Sequence, residues 1–89
     1  MIKHPKRRTD VHAESLPDGS VLLFDPVNMT EYPISASAGA IWQVCDGAHS
    51  FEQIVNDLHS VYDAGRDQIE RDTTAFLEQL AEIGLLDAS

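Results

Sequence analysis

A chain of 89 residues, 43% apolar and 24% charged, can bury about 64% of its extended surface, which suits one small core and excludes two domains. The formal charge of −9 is uneven, because Lys3, Lys6, Arg7 and Arg8 supply four of the six basic residues. From Thr9 onward two arginines face fifteen carboxylates, a net −13, so the body repels phosphate and argues against nucleic-acid binding.

Residues 1 to about 10 are polar, carry Pro5 and show no period, and read as a flexible basic tail that folding can dispense with. That start has charge but no apolar stretch behind it, unlike a secretory signal, and no apolar run reaches the roughly 18 residues of a membrane span. A lone cysteine, Cys45, excludes an internal disulfide. These features point to a cytoplasmic, acidic protein that does not contact membranes. The folded domain is expected over residues 11–89.

Val11 to Leu16 alternates, Pro17-Asp18-Gly19-Ser20 forms a turn cluster, and Val21-Leu22-Leu23-Phe24 is a short apolar run, together a hairpin signal. After a break at Asp25-Pro26-Val27-Asn28, Thr30 to Ile34 reads as a third strand. The period then changes to helical. Ala38, Ile41, Trp42 and Cys45 share a face, Ser35 or Ser37 caps the start, and Gly47 suits the stop. Ser50-Phe51-Glu52-Gln53 is a capping box for a helix that turns Phe51, Ile54, Val55, Leu58 and Val61 or Tyr62 inward. Gly65 ends it. Asp67 to Glu70 offers a further cap, and Ile69, Thr73, Phe76, Leu77, Leu80 and Ile83 form the stripe of a last helix ending at Gly84, after which Leu85-Leu86 packs back. A three-stranded antiparallel sheet followed by three helices is a winged helix-turn-helix-like α+β domain.

Chemistry for catalysis is missing. His4, His12, His49 and His59 are scattered, and no second ligand pair stands at metal spacing, so neither a metal nor a cofactor is expected. Cys45 occupies an inward stripe and reads as a small hydrophobe rather than a nucleophile. The carboxylates are separated by helix turns, as on a solvated face. Trp42 and Phe76 fall on core stripes. Tyr32, by contrast, sits on the last strand of a small sheet, where an unpaired edge is either defended or used. Pro33 fits such an edge because it lacks the N–H a neighbour would need.

Taken together, Asp18-Gly19-Ser20-Val21-Leu22-Leu23, Tyr32-Pro33-Ile34-Ser35, the block from Ala38 to Gly47 with its Ile41-Trp42-x-x-Cys45-Asp46-Gly47, and Asp72 to Leu80 closing on Gly84-Leu85-Leu86 resemble the PqqD family. The resemblance covers roughly residues 11 to 87, with Ile34-Ser35 where the family commonly has Leu-Asn, and Pro33 inside the strand. It implies a non-catalytic module, a peptide chaperone or recognition element. Such a module binds the leader of a ribosomally made precursor peptide by strand addition and presents it to a modifying enzyme, often a radical SAM protein. Carried onto this sequence, it implies a peptide site at Thr30, Glu31, Tyr32, Pro33 and Ile34, with Asp72, Phe76 and Gln79 of the last helix; an outward-facing Pro33, which interrupts the ladder, shifts the expected pairing toward Met29 to Glu31. Pyrroloquinoline quinone and other modified peptides are all compatible products.

Two other readings compete. A regulatory or assembly subunit could use the same edge for a protein partner, and two copies could pair there as a homodimer. A DNA-binding winged helix would share the architecture, yet Ser50 to Tyr62 contains no Lys or Arg and Asp67 to Ile83 contains only Arg71.

Overall fold

A computed structural model describes residues 3–87. Met1, Ile2, Ala88 and Ser89, the extremes of the expected tail and domain, lie outside the described residues. The elements run β1 (His12–Ser15), β2 (Val21–Asp25), β3 (Thr30–Ile34), α1 (Ala36–Val44), α2 (Phe51–Val61) and α3 (Arg66–Glu82), the expected α+β order. The sheet is antiparallel with order β1-β2-β3, so β1 and β3 are its edges.

Local chemistry sets the joints. Leu16 N–H donates to the Ser20 carbonyl at 2.8 Å and Gly19 N–H to the Leu16 carbonyl at 3.0 Å. Gly19 holds φ +90°, a glycine bulge that matches the sheet's twist. Ser35, rather than Ser37, caps α1 by accepting from Ala38 N–H at 3.2 Å. The capping box of α2 forms as expected, with Ser50 and Gln53 bonding reciprocally. The cap expected from Asp67 does not: α3 begins two residues earlier, with Gly65 at the cap position and no side-chain bond. Asp67 stays in the first turn, where a carboxylate still suits the helix dipole.

The helices cover one face of the sheet. Val21 and Leu23 of β2 pack with Ile41, Trp42, Cys45, Ile54, Leu77, Leu80 and Leu85 in a single core. At Gly39 of α1 an added Cβ would lie 2.6 Å from Val21 Cγ2 of β2, so a larger residue there would force the Val21 side chain to shift. Cys45 is fully buried and its Sγ donates to the Ile41 carbonyl at 3.1 Å. Burial pushes its thiol up to about 11, as expected of a packing residue. Neither Val61 nor Tyr62 turns inward as expected: both are exposed, because α2 ends at Val61 and Tyr62 is already its extended C-cap.

The N-terminal segment departs from expectation. Residues 3–8 are docked, not free. Lys3 and Pro5 carbonyls accept from Phe51 and Gly47 N–H, Arg7 and Arg8 N–H donate to Cys45 and Leu85 carbonyls, and Asp87 N–H returns to Lys6. The segment therefore runs between the α1–α2 connection and the chain after α3, with bridges Lys6 to Asp46 and Arg7 to Leu86. Pro5 is fully buried, and the Arg7 guanidinium donates to the Trp42, Gln43 and Cys45 carbonyls at the end of α1, where cations offset the helix dipole. Irregular backbone docked by long-range bonds has no sequence period, so nothing in residues 3–8 announces it. The fold thus begins near Lys3 instead of residue 11. Deleting residues 1–8 should lower the melting temperature clearly, by several degrees or more for a domain of this size; an unchanged transition in a thermal melt would contradict this docking.

Candidate functional site

The geometry of the β3 edge follows from register. Leu16 and Ser20 are hydrogen-bonded across the first hairpin, and paired residues alternate between bonded and non-bonded sites in an antiparallel ladder. Counting along the pairs Ser15–Val21, Glu14–Leu22 and Ala13–Leu23 makes Glu14–Leu22 a bonded pair. The main-chain groups of Leu22 and Phe24 thus point to β1, and those of Val21, Leu23 and Asp25 point to β3. In β3, Ile34, Tyr32 and Thr30 pair with these last three and use their main chain inward. Glu31 and Pro33 therefore present theirs to the open side. Along this edge the donors reduce to the Glu31 N–H, because proline has none, while the carbonyls of both residues can accept.

The side chains alternate on the other axis. Thr30, Tyr32 and Ile34 lie half-buried toward the helices, while Glu31 and Pro33 are exposed. Between β3 and α3 runs a groove of about 370 Å³, floored by Leu23, Leu80 and Leu85. Tyr32, Pro33 and Ile34 line one wall, and Phe76, Gln79, Glu82 and Ile83 line the other. Five of the nine expected site residues are thus brought together: Tyr32, Pro33, Ile34, Phe76 and Gln79. Glu31 sits on the edge itself. Thr30 is at the strand's start, its hydroxyl donating to the Asn28 carbonyl at 3.0 Å. Met29 lies in the preceding turn, highly exposed, with φ 53°. Asp72 does not line the groove; it stands one helix turn before Phe76, beside a separate cavity. Leu23, Leu80, Glu82, Ile83 and Leu85 complete the lining beyond the expected residues. Ile83, on the apolar stripe that the spacing turns inward, is the C-cap of α3 and is 37% exposed at the groove wall.

Both walls are fixed by one buried carboxylate. Asp25, at the end of β2, is fully buried and accepts from Arg8 Nη1 and Nη2 at 3.2 and 3.1 Å. It also accepts from Val27 N–H at 2.9 Å and from Asn28 Nδ2 at 2.8 Å, shaping the turn that delivers β3. The same guanidinium donates to the Gly84 carbonyl at 3.1 Å, just past α3, and to Asp10. Burial would raise the Asp25 carboxyl, but the bonds from Arg8, Asn28 and the turn outweigh it and hold the group at about 2. A second, peripheral pair joins His49 Nδ1 to Asp46 at 2.9 Å; the bond raises the histidine and lowers the aspartate, and it closes the α1–α2 connection.

A wider depression of about 660 Å³ lies along α3 beside Phe51, Asp67, Glu70, Arg71 and Glu78. Its charged rim carries no strand edge and suits solvent. Among the described residues no group of three or more His, Cys, Asp or Glu is placed to hold a metal, and no helix is long and apolar enough to cross a membrane.

A family model described as coenzyme PQQ synthesis protein D matches residues 20–86. A PqqA binding protein of Rhodopseudomonas palustris (strain BisB5) is 44% identical over 46 residues, which is 52% of this chain and 45% of that protein, so the match spans about half the relative's length. Among solved structures, TbiB1 in complex with the TbiA(beta) leader peptide superposes with a TM-score of 0.82 at 27% identity, covering 94% of this chain and 96% of that one. A lasso peptide synthetase B1 complexed with the leader peptide gives 0.81 at 24% identity, over 96% and 99% of the two chains; at that identity it speaks to the fold.

The clamp makes a signed prediction. A carboxyl held below its unfolded value, about 3.9, contributes stability that is present above that value and is lost as pH falls toward about 2. Asp25→Asn should therefore unfold at lower urea than the parent at pH 7, and the two midpoints should converge as pH drops from about 4 to about 2. A gap that stays constant across that range would show that Asp25 is not charged and clamped.

Proposed function

The chain belongs to the PqqD family, and we propose that it is a non-catalytic module that binds the leader of a ribosomally synthesised precursor peptide and presents it to a modifying enzyme. The observation that carries this reading is the open β3 edge beside an apolar groove. Strand addition draws affinity from main-chain bonds and specificity from side-chain pockets, and needs no catalytic group. In this reading the leader pairs with Glu31 as a bonded partner and uses the Pro33 carbonyl. It then seats side chains between Tyr32, Ile34, Phe76, Gln79 and Ile83. Met29 and Thr30 continue the contact at the strand's start. The likeness to TbiB1, whose structure holds a leader peptide, and to a PqqA binding protein supports the same class of ligand for this chain.

The enzyme partner in this reading is a radical SAM protein or another peptide-modifying enzyme, and the site of action is the cytoplasm, where ribosomal precursors are made. A homodimer through β3 would occupy the same main-chain groups and so compete with the peptide.

Parity along β3 supplies the test. Glu31→Pro deletes an outward N–H and leaves the ladder to β2 intact, so stability should change little while affinity for the leader of the neighbouring precursor gene falls about tenfold or more. Phe76→Ala should weaken the same peptide by a comparable factor through lost burial. Binding unaffected by Glu31→Pro, measured by calorimetry on protein with an unaltered melt, would rule out pairing at this edge.

A further inference from the structure

Two turns link the three strands, and each places one residue in the left-handed region. In the β1–β2 turn that residue is Gly19, at φ +90°, where the missing side chain makes the conformation easy. In the β2–β3 turn it is Met29, at φ 53°, the only non-glycine residue with positive φ among the described residues. A bulky L residue is strained there, because its Cβ crowds the backbone. Asn28 would tolerate the conformation better, yet it stands one position earlier, with its amide bonded to Asp25 at 2.8 Å. Strain of this kind persists only where surrounding bonds impose it, and it clusters at functional sites.

The strained turn displays apolar side chains. Val27 is 70% exposed and Met29 74%, two large hydrophobes within three residues, and neither packs against the core. The turn is also braced: Val27 N–H donates to the Asp25 carboxylate at 2.9 Å, and the Thr30 hydroxyl to the Asn28 carbonyl at 3.0 Å. A tip held this way has little conformational freedom left to lose on binding. Its place identifies the partner. The turn ends at Thr30 and so continues the open β3 edge at the start of the strand. A leader added antiparallel, the more stable pairing, runs from the Ile34 end toward Thr30 and leaves the edge beside Met29 with its C-terminal end. The residues to be modified follow the leader, so the enzyme that acts on them has to sit at this turn.

We propose that the turn carrying Val27 and Met29 is the docking knob for the modifying enzyme, seated in an apolar pocket of that enzyme next to the point where the peptide leaves β3. The methionine thioether is flexible and polarisable and adapts to such a pocket. Burial of both side chains in the complex is what the strained, braced turn makes possible. This inference rests on the leader-binding reading, and one arm of its test uses neither leader nor enzyme.

In that arm, Met29→Asn should raise the melting temperature by about 2 °C or more, because asparagine accepts the left-handed conformation with less strain. The second arm measures affinity for the modifying enzyme encoded beside this chain's gene, by calorimetry with the leader saturating, so that leader contacts do not enter. Met29→Asn and Val27→Ser should each weaken that affinity about fivefold or more, while Val27→Ser leaves affinity for the leader alone within about twofold of the parent. A melt that Met29→Asn lowers or leaves unchanged would overturn the proposal, as would enzyme affinity indifferent to both substitutions or a parent chain that binds the leader but not this enzyme. Equal losses of leader and enzyme affinity in Val27→Ser would also overturn it, by assigning the turn to the peptide site. If the knob fails while Glu31→Pro still weakens leader capture, strand addition stands without it. If leader capture ignores Glu31→Pro while both turn variants lose the enzyme, the knob stands and the peptide pairs elsewhere.

Discussion

A buried carboxylate has to be paired, and Asp25 is paired with Arg8. Leaving either partner alone would strand a charge away from water, which proteins tolerate poorly. The pairing therefore dictates several placements at once. It fastens the N-terminal segment to the body at Arg8, while the backbone of residues 3–8 bonds the α1–α2 connection and the chain after α3. It shapes the turn before β3 through Val27 and Asn28. It also holds the end of α3 through the Gly84 carbonyl. The strand and the helix that wall the groove are thus tied to one guanidinium, and the cluster of basic residues at the start of an otherwise acidic chain acquires a structural reason.

The edge that this frame presents is deliberately poor in donors. A long, regular edge invites pairing with any passing strand. Here Pro33 removes one outward N–H without disturbing the ladder to β2, because parity turns its backbone away from Leu22. What remains is a short edge that pairs fully at Glu31 and partially at Pro33, so a ligand needs side-chain burial in the adjoining groove to bind well. Under the proposed strand addition, recognition would be selective, since main-chain bonding alone is too sparse to hold an arbitrary peptide.

Much of this can be read from residues that act locally. The places of the three strands, the Ser50 to Gln53 capping box, the turn at Gly19 and the inward place of Cys45 each depend on neighbours within a few positions, and each appears where the sequence predicts it, although β1, read as alternating, is exposed along its whole length. Pro33 likewise carries its meaning in its missing N–H. The docked N-terminus escapes such reading because its bonds run to Cys45, Gly47, Phe51 and Leu85, and irregular backbone leaves no period. Helical spacing groups Asp72 with Phe76, but spacing gives an angle and not a position along the axis. One turn toward the start of α3 is enough to carry Asp72 out of the groove and beside α1 and α2. The same limit applies to Ile83: its stripe position is apolar, but at the end of α3 it lines the open groove instead of the closed core.

Amide hydrogen exchange at Glu31 tests the central claim most directly. In the free protein its N–H, turned away from β2, should exchange fast while the inward amides of Tyr32 and Ile34 are protected. On saturation with the leader, Glu31 should become protected to a degree comparable with those neighbours. A Glu31 amide already protected in the free monomer would contradict the parity on which the site is built. One that still exchanges freely in the saturated complex would show that the peptide binds without adding a strand.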